Sequence, residues 1–167
     1  MRRTRYEIGL RWSGHAGAGT CSGGGYCRDH VIRGAGKPTL RCASNSELCG
    51  DPARYNPEEL LIASLSSYHM LRYLHLCATN GVVVESYVDR ANGVVQLSPG
   101  GDGSFLSLEL RPRVVVSLQA MVHRAEALHD DAHRRCSIAQ TMGFPVDVSA
   151  IVEASEESTA LGQSSSS

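Results

Sequence analysis

Asn56-Pro57-Glu58-Glu59-Leu60-Leu61-Ile62-Ala63-Ser64-Leu65-Ser66-Ser67-Tyr68-His69-Met70 is the stretch on which the reading of the fold turns. Asn56 is a strong N-cap residue, because its side chain can accept a hydrogen bond from an otherwise unpaired amide of the first turn. Pro57 suits the first helical position, where a missing N–H costs nothing. Glu58 and Glu59 place negative charge at the positive helix end, and Glu59 lies three residues after Asn56, the spacing of a capping box. The apolar pattern continues through Leu71, Leu74 and Leu76, and Asn80-Gly81 supplies a stop. Apolar or small residues cover most of the circumference, which predicts a central helix rather than a peripheral one.

Upstream, residues 6–12 alternate, with Tyr6, Ile8, Leu10 and Trp12 on one face, and predict a strand. A glycine-rich run over 14–25 breaks it, and 26–33 reads as a second strand beside the first. Residues 37–55 are rich in Gly, Pro, Asn, Asp and Ser and read as a long excursion with room for one short strand. Downstream, 82–89 and 94–97 read as strands joined at Asn92-Gly93, a hairpin signal. Residues 105–117 predict a third strand, which Pro112 assigns to an edge or a bulge. A second helix is expected over 119–142, ended by Gly143-Phe144-Pro145, and a last strand over 146–152. Strands grouped around two helices predict an α+β fold, with antiparallel sheets around two long central helices. The expected organisation is one domain over 1–155 and a disordered serine-rich tail over 156–167.

Composition narrows the function. The 167 residues are 42% hydrophobic and 20% charged, with a formal net charge of -1. No basic excess invites nucleic acid, and one Trp with two Phe make no stacking platform for single strands. No apolar run approaches the roughly 20 residues of a membrane span, and the basic start lacks the apolar segment of a secretory leader. The expected location is the cytoplasm. The six cysteines, Cys21, Cys27, Cys42, Cys49, Cys77 and Cys136, include no C-x-x-C pair, so reactive or buried thiols are expected rather than a disulfide framework or a structural metal.

Several segments, taken in order, resemble the OsmC family and its organic hydroperoxide resistance branch. They are Arg11-Trp12-Ser13-Gly14, Tyr26-Cys27-Arg28-Asp29-His30, Gly50-Asp51-Pro52-Ala53-Arg54-Tyr55 running into the helix start, Ser66-Ser67-Tyr68-His69-Met70, Leu110-Arg111-Pro112-Arg113-Val114, Ala132-His133-Arg134-Arg135-Cys136-Ser137-Ile138-Ala139, and Gly143-Phe144-Pro145-Val146. The resemblance spans about residues 5–152. It implies an intertwined homodimer that reduces organic hydroperoxides with a dithiol of the lipoyl type and needs no cofactor or metal. It further implies a peroxidatic cysteine in the first helix, a resolving cysteine in the second, and a supporting arginine and glutamate. Residue by residue, Arg28 matches the arginine, Glu58 the glutamate and Cys136 the resolving cysteine. The peroxidatic position is Tyr68.

The chemistry explains why that substitution matters. A thiolate attacks a peroxide oxygen and becomes a sulfenic acid, a nearby cation favours the thiolate, and a second thiol condenses with the product. Arg28 suits the cation and Glu58 suits its orientation through a bidentate pair. Each also has a plainer reading: a solvated strand arginine, a helix-end carboxylate and, for Cys136, an inert core thiol. Glu58 and position 68 are ten helical residues apart, roughly 15 Å, which favours a site shared between two subunits. The expectation is therefore a family member with impaired peroxidase activity. The alternatives are a non-catalytic dimer that binds an apolar ligand or serves regulation, and a metal protein using His129, His133 and Cys136, which a continuous helix would place on one face, with His69 as a further ligand.

Overall fold

The computed structural model describes residues 3–14, 19–20, 26–98 and 102–155. The expected tail over 156–167, Cys21 and most of the glycine-rich run lie outside the described residues. The chain forms two compact units, Met1–Leu61 and Ile62–Ser167.

In the first unit, β1 (Gly9–Trp12), β2 (His30–Arg33) and β3 (Leu40–Cys42) form an antiparallel sheet in the order β1-β2-β3. The first two strands are shorter than the alternation predicts, and the excursion after β2 holds the one short strand expected. A single turn of 3-10 helix, Ser46–Leu48, follows, capped by the Asn45 side chain, which accepts from the Leu48 amide at 3.1 Å. The capping box forms as the sequence predicts: the Glu59 amide donates to Asn56 Oδ1 at 2.8 Å, and the Asn56 amide donates to Glu59 Oε2 at 3.0 Å. It starts α1 (Pro57–Thr79), and just beyond the helix Gly81 is held at φ 71, where glycine carries no Cβ penalty.

In the second unit, β4 (Val84–Asp89), β5 (Asn92–Leu97), β6 (Gly103–Leu110), β7 (Pro112–Val116), α2 (Val122–Arg134), β8 (Val146–Val148) and β9 (Ile151–Ala154) follow in order. They make two three-stranded sheets, β4-β7-β9 and β5-β6-β8. These are two halves of one bent ribbon. Asp89 faces Pro112 on one side of the bend and Asn92 faces Glu109 on the other, so the register is unbroken across two residues of each strand. At the bend the Arg111 amide leaves the ladder and donates to Asp89 Oδ1 at 2.8 Å, while Ser66 of α1 donates to Asp89 Oδ2 at 2.5 Å.

Four expectations are corrected. Asn92-Gly93 is not a hairpin turn but lies inside β5, and the hairpin closes further on, where the Ser98 amide donates to the Asp102 carbonyl at 2.7 Å. Pro112 is not on an edge: it is the first residue of β7, the central strand of its sheet, a position where its missing N–H breaks no ladder bond because the bend has already interrupted the ladder. The β1-β2-β3 sheet is antiparallel as expected, but the two sheets of the second unit are mixed, since β8 and β9 run parallel to β6 and β7 after the α2 crossover. Finally, α2 stops at Arg134, well short of 142, and residues beyond it form turns.

A stripe along α1 is buried, Leu65, His69, Tyr73, Leu76 and Cys77, whereas Leu71 stays 62% exposed. One chain therefore covers only part of a helix whose sequence is apolar nearly all round. Tyr73, Leu76 and Cys77 pack with Val114, Val116, Leu128 and Val152, and Leu65 packs with Leu108, Leu110 and Cys136. Among the described residues no helix is long and apolar enough to cross a membrane.

The α1–α2 contact contains two buried histidines, His69 and His129, whose facing ring nitrogens lie 3.1 Å apart. Tyr73 stacks on His129 with ring centroids 3.8 Å apart. The outward nitrogens, His69 Nδ1 and His129 Nε2, have no hydrogen-bond partner among the described residues. Burial pushes His69 down to about 4, with the positive field of His133 adding and Asp89 opposing, and burial followed by the charge of His69 pushes His129 down to about 3. Both rings are neutral in the folded state at pH 7, while an unfolded imidazole titrates near 6.5. Between about pH 6.5 and 4 the unfolded chain thus binds more protons, and stability falls as the pH falls. Urea unfolding at pH 7 and pH 5 should show a loss of up to about 4 kcal/mol for the wild type, roughly 2 kcal/mol from each ring. The His69→Gln/His129→Gln variant should lose much less over the same interval; an equal loss would assign the acid sensitivity to other groups.

Candidate functional site

The end of β1 and the segment entering β2 fix the first candidate residue through three successive carbonyls. Trp12 Nε1 donates to the Cys27 carbonyl at 2.8 Å, the His30 Nδ1 position bonds the Arg28 carbonyl at 3.1 Å, and the Ser13 amide donates to the Asp29 carbonyl at 2.9 Å. Gly14 makes this approach possible, since a Cβ there would fall 1.9 Å from the Cys27 carbonyl oxygen. Arg28 is held in the middle of this clasp, its guanidinium 4.7 Å from the centre of the Tyr26 ring, within range of a cation–π contact.

Glu58 enters from the first turn of α1. It lines the same cavity as Arg28, a space of about 400 Å3 walled mainly by Leu10, Trp12, Tyr26 and Leu48. Glu58 Oε2 is buried and has no hydrogen-bond partner among the described residues, so it offers an acceptor to whatever enters. Because Glu59 is engaged in the capping box, Glu58 is free of that duty, as its sequence position predicts. Next to Arg28 in sequence, Asp29 pairs with Arg54 at 3.0 Å, and Arg54 also pairs with Asp51 at 2.9 Å. Sequence reading missed this clamp, although the Asp51–Arg54 spacing hints at half of it. None of the described residues lining the cavity is a cysteine.

The other two candidates meet in the second unit. Tyr68 projects from α1 and packs partly buried against the cluster that contains Cys136, which is 2% exposed. Ser137 Oγ donates to the Tyr68 phenol oxygen at 3.2 Å. That bond first, and then the positive field of Arg72, holds the phenol below its ordinary range. Cys136 Sγ accepts from the Ala139 amide at 3.4 Å. The five described cysteines are all free thiols.

The face considered as an alternative metal site is not one helical surface. Its geometry assumed one helix through residue 136, but α2 ends at Arg134 and Cys136 follows in a turn. His69 does approach from the first helix, as an imidazole partner of His129. Among the described residues no three of His, Cys, Asp and Glu are grouped to hold a metal.

Comparison with known proteins follows the same lines. An OsmC-like protein of unknown function from Vibrio cholerae O1 biovar eltor is similar over 89% of this chain and all of its own, at 28% identity and a TM-score of 0.78. An organic hydroperoxide resistance protein from Legionella pneumophila shares the fold over 92% of this chain and 99% of its own, at 20% identity and a TM-score of 0.58. One from Elizabethkingia anophelis, with thiocyanate bound, does so over 92% and 100%, at 18% identity and a TM-score of 0.61. No curated protein matches the sequence. The model of the family described as OsmC-like protein matches residues 50–150, and with the clasped Arg28, the cavity it shares with Glu58 and the Tyr68–Cys136 cluster in view, the chain belongs to the OsmC-like family.

Proposed function

We propose that this protein is a cytoplasmic homodimer related to the thiol-dependent organic hydroperoxide reductases, in which the ligand-binding half of the site is retained and the peroxidase cycle is blocked at Tyr68. The observation that carries the reading is that Arg28 and Glu58 line one largely apolar cavity. A guanidinium and a carboxylate facing apolar walls suit a hydroperoxide, whose two oxygens need polar partners and whose alkyl group does not. The fold shared with proteins described as organic hydroperoxide resistance proteins supports the same assignment.

The thiol would come from a second copy. Glu58 and Tyr68 are ten residues apart on α1, roughly 15 Å along its axis, so position 68 of one subunit would complete the cavity of the other. Tyr6, Ile8 and Leu10, at 87%, 60% and 66% exposure, and Leu71 of α1 are apolar surface that a partner subunit would cover. In an active site of this kind the thiolate at position 68 attacks the peroxide, leaving a sulfenic acid and an alcohol. Cys136 then condenses with the sulfenic acid and releases water, and a dithiol reduces the resulting disulfide. Tyr68 cannot enter that sequence. Its oxygen forms neither a sulfenic acid nor a disulfide, however far its phenol is acidified by Ser137 and Arg72. The bond to Ser137 and the packing beside Cys136 instead make it a filler of the space.

A second reading, a non-catalytic dimer that binds an apolar ligand, is favoured by the same cavity with no cysteine among its described lining residues. Peroxide consumption with a dithiol reductant separates the two. Wild type should turn over organic hydroperoxides at a small fraction of the Tyr68→Cys rate, by at least about a hundredfold given the loss of the nucleophile. The Tyr68→Cys/Cys136→Ser variant should lose the gain in steady state. Rapid turnover by wild type, unchanged in Tyr68→Cys, would locate the nucleophile elsewhere. Light scattering at micromolar concentration should give twice the 17.9 kDa chain mass, and a clean monomer would remove the shared site.

A further inference from the structure

The outer face of the β4-β7-β9 sheet is a basin of about 630 Å3, within the roughly 300–1,000 Å3 range of small-molecule sites. Strand alternation decides what it displays. Pro112, Val114, Val116 and Val152 are buried on the core side, so Val88, Arg113 and Ile151, which are register partners, form a row across the other face with Arg113 on the central strand. Arg90 and Arg111 line the same basin at the bend. Three guanidiniums therefore share one small face, and Glu153 is the only carboxylate among its described lining residues.

The three are not equivalent. Arg111 is committed: its Nε and one terminal nitrogen donate to Glu109 Oε2 at 2.9 and 2.7 Å, and Ser149 donates to Glu109 Oε1 at 2.7 Å. Among the described residues the side chains of Arg90 and Arg113 have neither an ion pair nor a hydrogen bond. Beside them Val88 and Ile151 are 54% and 44% exposed. Unpaired guanidiniums flanked by bare aliphatic surface are complementary to a ligand that is itself anionic at one end and apolar at the other. A second copy fits poorly, because a two-fold contact through this face would set Arg113 of each subunit against like charge.

We infer that this basin binds a small organic anion, its acidic head between Arg90 and Arg113 and its apolar body on Val88 and Ile151. The site lies wholly within the second unit and does not depend on the peroxide reading. The test is a fluorescence titration of the full-length protein with 1-naphthalenesulfonate at low salt, beside uncharged 1-naphthalenemethanol and inorganic sulfate. One sulfonate should bind per chain, more weakly as salt rises. Arg90→Gln/Arg113→Gln should raise Kd about tenfold or more, while Arg28→Gln should leave it unchanged. On the unaltered protein, methyl NMR should show Val88 and Ile151 shifting with the titration. An unchanged Kd in the double variant, equal binding of the alcohol or of sulfate, or shifts confined to Leu10 and Leu48 would overturn the proposal.

Discussion

The carboxylate of Asp89 holds together the bend on which the second unit is built. One oxygen takes the Arg111 amide, which has left the strand ladder, and the other takes the Ser66 hydroxyl from α1. The amide that drops out of the ladder at the bend takes the Asp89 side chain as its acceptor in place of a strand carbonyl. Asp89 ties the bend to the helix in the same step. The register carries from Asp89–Pro112 to Asn92–Glu109 without a shift, because no residue is inserted or dropped at the bend itself. Leu65 then faces the β6 residues Leu108 and Leu110, while Tyr73, Leu76 and Cys77 face β7 and β9. One helix thereby serves two cores.

What could be read from the sequence divides along the same physical line. The start of α1 was legible because capping is local: Asn56, Pro57 and Glu59 meet within one turn, and Gly81 closes the other end by the same kind of local chemistry. The bend was not, because it depends on a contact between Asp89 and Ser66, distant in sequence. Asn92-Gly93 carried a turn signal that lost to register, since pairing with Glu109 and Leu108 extends the strand through it. Pro112 argued against a central strand and was overruled by sitting where the ladder had already lapsed. The early end of α2 escaped notice because residues 135–142 contain no strong breaker before Gly143. The parallel strands β8 and β9 could not be read at all, because direction is set by the crossover and not by composition.

For the candidate site, family resemblance located Arg28, Glu58, Tyr68 and Cys136, and the structure groups them into two pairs. Their supports were harder to see. The carbonyl clasp around Arg28 needs Gly14 close to Cys27, a relation that no periodicity reveals. Ser137 was visible as part of a motif, but its bond to Tyr68 depends on where the chain goes after α2. The His69–His129 pair was half legible: each ring sat on a helix, yet their meeting required the two helices to be packed.

The early end of α2 has a mechanical consequence for Cys136. A residue within a helix is restrained by bonds running in both directions along several turns, and moving its backbone means unwinding the helix. Cys136 instead hangs from a short connection, its amide bonded to the His133 carbonyl at 3.0 Å and its own carbonyl bonded to the Gln140 amide at 3.1 Å. The sulfur is well packed, but the chain that bears it is a turn and not a helix. A displacement of this thiol is opposed by the side chains around it and by a pair of turn hydrogen bonds, and α2 can stay intact while it happens.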